Sequence, residues 1–447
     1  MRLPRLNRRT ILLFLGIMGP GLITAVADND AGGITTYAVV GASYGYEMLW
    51  MLFLITFSLA ITQEMCARMG AVTGKGLSDL IRENFGVRWT AFAMLVLLTA
   101  NAVTTVAEFA GIAAALEIFG VSRYISVPLA AAAVWWLVVK GSYRAAEKIF
   151  LSFAVFQLAY VVAGLIMPQQ HWGLALGSLL SPFSPILRAL GLVGQSILPP
   201  AWSSGLQASP LPTFRLEPHF ILLFIATIGT TITPWMQFYI QSSVRDKGIT
   251  AEQYRYARLD VLFGAFVTDF VSFFIIIATA ATLHRAGIRI ETAADAAMAL
   301  EPLAGRYAQG LFAIGLAGAS MLAASILPLS TAYAVCEAFG WESGIGKGWD
   351  EAPAFFSLYT AIIALGAGMV LLPNLDLIKI MLLSQDINGI LLPVVLIFML
   401  LLINNKRLMG RHVNGRVYNF LAWTTTVAII ILTILLLITS VFPGLLL

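Results

Sequence analysis

Two carboxylates two residues apart, Asp28 and Asp30, sit inside the first long apolar stretch of the chain, within Ala27-Asp28-Asn29-Asp30-Ala31-Gly32-Gly33. A carboxylate at membrane depth is costly unless it meets a partner or water, so a pair of them there points to a bound cation. On an unwound stretch, carbonyls such as that of Ala27 are released from helical hydrogen bonding and join the carboxylates in an oxygen-rich site. The alternative for Asp28, and with less weight for Asp30, is an N-cap on the half-helix that follows. Further acids lie in other apolar stretches: Glu108 in the third, Asp269 in the seventh and Asp386, beside Gln385, in the tenth. Glu64 falls nearer the end of the second. No fixed positive charge in the cores of these stretches balances them.

The donor types select the ion. All four histidines (His171, His219, His284, His412) fall near or beyond the ends of apolar stretches. Cys66 and Cys336 lie away from the polar interruptions and read as small buried hydrophobes. The interruption Gly229-Thr230-Thr231-Ile232-Thr233-Pro234-Trp235 offers the Thr233 hydroxyl where a soft sulfur would favour a transition metal. Carboxylate, hydroxyl, amide and carbonyl oxygens suit Mg2+, Ca2+ or Mn2+. The small residues Ala31, Gly32 and Gly33 leave room for the waters that Mg2+ gives up reluctantly.

Such residues must be held by membrane helices. The chain has 447 residues, 59% of them hydrophobic and 11% charged, with a mean hydropathy of +0.86, which excludes a soluble globular protein. Eleven apolar spans are expected, at about 11–42, 45–70, 90–118, 124–140, 149–168, 218–244, 257–283, 307–337, 354–373, 377–403 and 417–443. Nothing alternates with the period of a membrane β-barrel, so the fold class is an all-α integral membrane protein.

Most of the 27 Lys and Arg, beginning with Arg2, Arg5, Arg8 and Arg9, fall at alternate span ends. This bias places the amino terminus in the cytoplasm and the protein in the plasma (inner) membrane as a multi-pass chain, the first span being an uncleaved anchor. It also accounts for the net charge of +4 without a nucleic-acid partner. The lipid bilayer and a divalent cation are the partners the composition calls for, with no obligate protein partner and no resident cofactor.

The first and sixth spans are interrupted alike, by Gly19-Pro20-Gly21 with Asp28 to Gly33, and by Gly229 to Trp235. Five spans separate the two breaks, the pattern of an inverted five-plus-five repeat with a substrate site where the broken helices meet. Kinked packing helices are the bland alternative, but packing has no use for mid-membrane carboxylates. The organisation expected is a first repeat at 1–168, an external loop at 169–217 (extended, with Pro199-Pro200 and Pro210), a second repeat at 218–403, and a basic loop with an eleventh helix at 404–447.

Together these motifs resemble those of the Nramp divalent-metal transporters. Gly19-Pro20-Gly21 and Asp30-Ala31-Gly32-Gly33 are similar to the family's GPG and DPGN, and Thr233-Pro234-Trp235 stands where its MPH stands. Thr73-Gly74-Lys75, Ala107-Glu108-Phe109, Glu147-Lys148 and Ser384-Gln385 extend the likeness along nearly the whole chain. The resemblance implies an inverted repeat and a metal held by Asp30, the carbonyls of Ala27 and Thr230, and Gln385. The chain departs from the pattern at Ala31 for Pro, Gly33 for the Asn ligand, Thr233 for the Met ligand, Thr105 for an acid and Trp235 for His. These departures resemble the Nramp-related magnesium transporters, which implies Mg2+ transport without a proton partner. Asp28 and Asp386 are then expected to accept hydrogen bonds from the ion's waters.

The expectation is therefore a transporter, not an enzyme, carrying Mg2+ and also Mn2+ by alternating access. One rival is a proton-coupled Mn2+/Fe2+ importer of the ordinary Nramp type. Another, from a different class, is a sodium-coupled organic-solute symporter; two carboxylates in the first break would repel its substrate's carboxylate. No HExxH or nucleophile elbow suggests catalysis.

Overall fold

The computed structural model describes residues 20–140, 154–166, 169–181 and 215–441. Gly19, the four amino-terminal arginines, Glu147-Lys148, Pro199-Pro200 and Pro210 lie outside the described residues. The first apolar stretch is two half-helices, α1 (Pro20–Asp28) and α2 (Ala31–Tyr44). There follow α3 (Leu49–Thr73), α4 (Leu77–Glu117) and α5 (Arg123–Val139). A 3-10 turn (Ala154–Gln157) leads into α6 (Leu158–Leu165), and α7 is Gln169–Leu179. The sixth stretch is again split, into α8 (Pro218–Thr231) and α9 (Pro234–Asp246). The rest are α10 (Tyr254–Thr279, continued by a π turn, Ala280–His284), α11 (Ala308–Phe339), α12 (Pro353–Val370), α13 (Leu377–Ile403) and α14 (Arg416–Val441).

Each expected span thus has a helix or a pair of half-helices, and the described residues contain no strand. Eight helical runs among them are long and apolar enough to cross a membrane. Two boundaries differ from expectation. Helix α4 starts at Leu77, well ahead of residue 90, because the chain stays helical through a bend at Gly86, whose φ of 79° suits glycine. The segment 169–217, expected to be an extended loop, opens with helix α7, which packs on α3.

The elements that carry the acids form the middle of the bundle. Helix α4 packs against α11 and α13, both halves of the first stretch lie along α10, and α8 runs along α13. Helix α14 packs on α13 and α8 from outside, leaving Val417, Phe420 and Ile431 exposed.

Glycines set the closest crossings. A Cβ on Gly21 would stand 2.7 Å from Val261 Cα, so α1 and α10 touch through their backbones. At that crossing the Gly21 amide donates to Asp260 Oδ2 at 2.7 Å, satisfying one of the free amides at the start of α1. Gly229 of α8 and Gly389 of α13 meet in the same way. Cys66 and Cys336 are free and buried.

Candidate metal centre

The two breaks have separate local causes. In the second, Pro234 has no amide and takes the first helical position of α9, which leaves Thr233 extended at φ −73°, ψ 144°. In the first, Asp30 is extended at φ −76°, ψ −173°, and its Oδ1 accepts from Gly33 N at 2.7 Å. The N-cap of α2 is therefore Asp30 and not Asp28, so the capping alternative holds at the residue where it carries the lesser weight. Asp28 ends α1, buried at 2% exposure, with neither carboxylate oxygen hydrogen-bonded.

Backbone freed by the first break is satisfied by side chains from elsewhere. Gln157 Nε2 donates to Asn29 O at 2.7 Å. Asn29 itself clips onto α10, donating through Nδ2 to Thr268 O at 3.4 Å and accepting at Oδ1 from Ser272 Oγ at 3.1 Å. Thr268 Oγ1 donates back to Ala25 O at 3.0 Å.

The breaks meet at Gly33. A Cβ built there would lie 2.7 Å from Asp28 O, 3.0 Å from Thr230 Oγ1 and 3.3 Å from Asp30 Oδ1. A released carbonyl, a hydroxyl and a carboxylate thus converge on one point from both broken helices. The carbonyl is that of Asp28; that of Ala27, the one expected, belongs to the same last turn of α1, and the amide four residues on, Ala31 N, donates to Glu108 instead. Thr230 faces the point with its hydroxyl, where the resemblance implied its carbonyl, and that hydroxyl has no hydrogen-bond partner.

Around this point the other candidates take different places. Thr233 caps α9 in position, 1% exposed, its Oγ1 also without partner. The Gln385 amide nitrogen packs directly on Gly32. Its Oε1 accepts from Asn388 Nδ2 at 3.1 Å, and Asn388 is held in turn by Thr104 Oγ1 at 3.0 Å. Glu108 lies fully buried with Oε2 accepting from Ala31 N at 3.3 Å, and its carboxyl borders that of Asp30. Asp269 is buried on α10 within electrostatic reach of Asp28.

Asp386 is not brought to Gly33. It lines a separate cavity of about 1400 Å3 that reaches the face formed by the end of α2, the start of α8 and the start of α13. His219 and His284 stand in the wall of that cavity, away from both breaks.

Sequence reading missed Asn29 and Asn388, the two amides that fix the geometry. The available signal was Asn388 lying three residues after Gln385, on the same helical face of an apolar stretch. Among the described residues, no three His, Cys, Asp or Glu side chains gather at metal-binding spacing. The donors at Gly33 are instead mixed oxygens, a set suited to hard cations.

Comparison with known proteins agrees with this architecture. A family model described as natural resistance-associated macrophage protein-like (Nramp) matches residues 21–439. The divalent metal cation transporter MntH of Pectobacterium carotovorum is 25% identical over 90% of this chain and 89% of its own length. The protein of the same description from Klebsiella pneumoniae is 26% identical over 93% and 92%. Among solved structures, a manganese transporter of Eremococcus coleocola superposes with a TM-score of 0.70 at 19% identity, covering 98% of this chain and 88% of that one, which shows the shared fold. With that match running from the start of α1 nearly to the end of α14, the chain belongs to the Nramp family.

Proposed function

We propose that this protein carries divalent metal cations across the membrane, with Mg2+ as its main substrate and Mn2+ also accepted, by alternating access about the two broken helices. The observation that carries the reading is the convergence of Asp30 Oδ1, Asp28 O and Thr230 Oγ1 at Gly33. All are hard oxygen donors, and the nearby break residue Thr233 adds a hydroxyl and no sulfur. The relatives named above as divalent metal cation transporters and as a manganese transporter support the substrate class.

In this reading Asp30, Asp28, Thr230, Thr233 and Gln385 surround a partly hydrated ion. Asp28 takes hydrogen bonds from the ion's waters with its carboxylate oxygens. Within the five-plus-five repeat of 1–168 and 218–403, the broken halves hold the ion while one helix bundle rocks against the rest. The amino terminus is cytoplasmic in the plasma membrane, so the cavity beside Asp386 opens outward. Inside-negative potential then drives uptake. Two charges crossing 100 mV gain about 4.6 kcal/mol, so no symported proton is required.

Mg2+ uptake into proteoliposomes tests the reading: Asp30→Ala abolishes it, and uptake retained in that variant removes Asp30 from the site. A second reading, proton-coupled Mn2+/Fe2+ import, is favoured by one specific contact, the Glu108 carboxyl bordering Asp30. A lumenal pH dye separates the two, staying flat in the first and acidifying with metal in the second.

A further inference from the structure

The cavity that reaches the α2/α8/α13 face has a buried acid at its depth which the centre at Gly33 does not use. Five charged side chains line it. Arg289 and Lys379 are matched in number by Glu291 and Asp376, and Lys379 Nζ pairs with Asp376 Oδ2 at 2.9 Å near the rim. The fifth, Asp386, is 4% exposed; the residue lines about 1400 Å3 of open space, and its Oδ1 is buried without a hydrogen-bond partner. The other four charges are equal in number and opposite in sign, which leaves Asp386 as the acid of this cavity without a charged partner in its lining; ionised, it concentrates cations there.

Asp386 follows Gln385 on α13, and consecutive helical residues point about 100° apart. One therefore faces the cavity while the other packs on Gly32 at the junction of the two breaks. We propose that Asp386 is the anchor of an outer cation station, where a hydrated divalent cation is held through its waters before it passes Gln385 to the centre at Gly33. This rests on the transport reading. The cavity is wide enough for an ion with its full water shell, and one carboxylate suffices to hold that shell without stripping it. A station of this kind sets how readily the ion is captured and leaves the later steps alone.

The test uses the full-length protein in proteoliposomes and in detergent. Asp386→Asn keeps the shape of the side chain and removes its charge. It is expected to raise the KM for Mg2+ uptake about tenfold, at the low end of what a focusing charge contributes, with the maximal rate within about twofold of wild type. Asp386→Glu restores the low KM. An unchanged KM, or a fall in maximal rate alone, overturns the station. A second readout does not depend on flux: Mn2+ titration followed by electron paramagnetic resonance counts bound ions. Two sites are expected, the tighter lost in Asp30→Ala and the weaker in Asp386→Asn. A single site in wild type, or an unchanged count in Asp386→Asn, also overturns it. Two counted sites with no uptake by wild type would instead remove the transport reading and leave the station standing.

Discussion

Arg245 Nη2 stands 2.5 Å from Glu337 Oε1, joining the last turn of α9 to the last turn of α11 on the face opposite the Asp386 cavity. Ser78 Oγ donates to the other Glu337 oxygen at 3.1 Å, and Arg245 Nη1 reaches Asp79 at 3.4 Å, so the start of α4 is tied in as well. The half-helix beyond the second break is thereby fastened to two neighbours while the opposite face stands open.

Glu337 is 7% exposed at its side chain and Arg245 26%, so removing one partner strands a largely desolvated charge. Glu337→Gln is expected to lower unfolding stability by about 1–2 kcal/mol, less than a fully buried pair because Arg245 keeps Asp79 and Asp246. Thermal unfolding in detergent measures this. A melting curve that overlays wild type would mean that the pair does not fasten α9.

Gly33→Ala places a methyl group 2.7 Å from a backbone oxygen, which cannot rotate away. The expected cost is about 1–3 kcal/mol of stability, as for overpacking elsewhere. Mg2+ affinity measured by calorimetry falls with it, because Asp28 O and Asp30 must separate. Unaltered affinity would place the ion elsewhere.

Asp28→Asn behaves in the opposite sense for stability. The native carboxylate has no hydrogen-bond partner to lose, and the substitution removes a buried charge near Asp30 and Asp269. Stability is expected to hold or rise while Mg2+ affinity drops. A variant that is both less stable and equally able to bind would show that Asp28 is a packing residue.

Thr233→Met adds a thioether beside the junction of the breaks. Cd2+ binding is expected to strengthen relative to Mg2+, since the soft donor favours the softer ion. If calorimetry finds the ratio of the two affinities constant, residue 233 does not face the cargo.

Both breaks could be read in advance because their causes are local. Pro234 deletes an amide, and polar residues at 28 to 30 interrupt an otherwise apolar run. What surrounds them was not legible, since it depends on contacts far along the chain. Asn29 finds its partners on α10, at Thr268 and Ser272, and nothing near residue 29 announces them. Grouping Asp386 with Gln385 followed from their adjacency, yet helical winding turns the two toward different walls.

The tight fit at Gly33 also bears on how such a chain can change its cargo over time. The shortest codon routes from glycine to the asparagine of the Nramp pattern pass through serine or aspartate. Either intermediate carries the Cβ that collides with the Asp28 carbonyl. A lineage holding this backbone therefore reaches asparagine at this position only after the α1–α2 junction shifts, so descendants that acquire it are expected to carry a compensating substitution near Asp28 or Thr230.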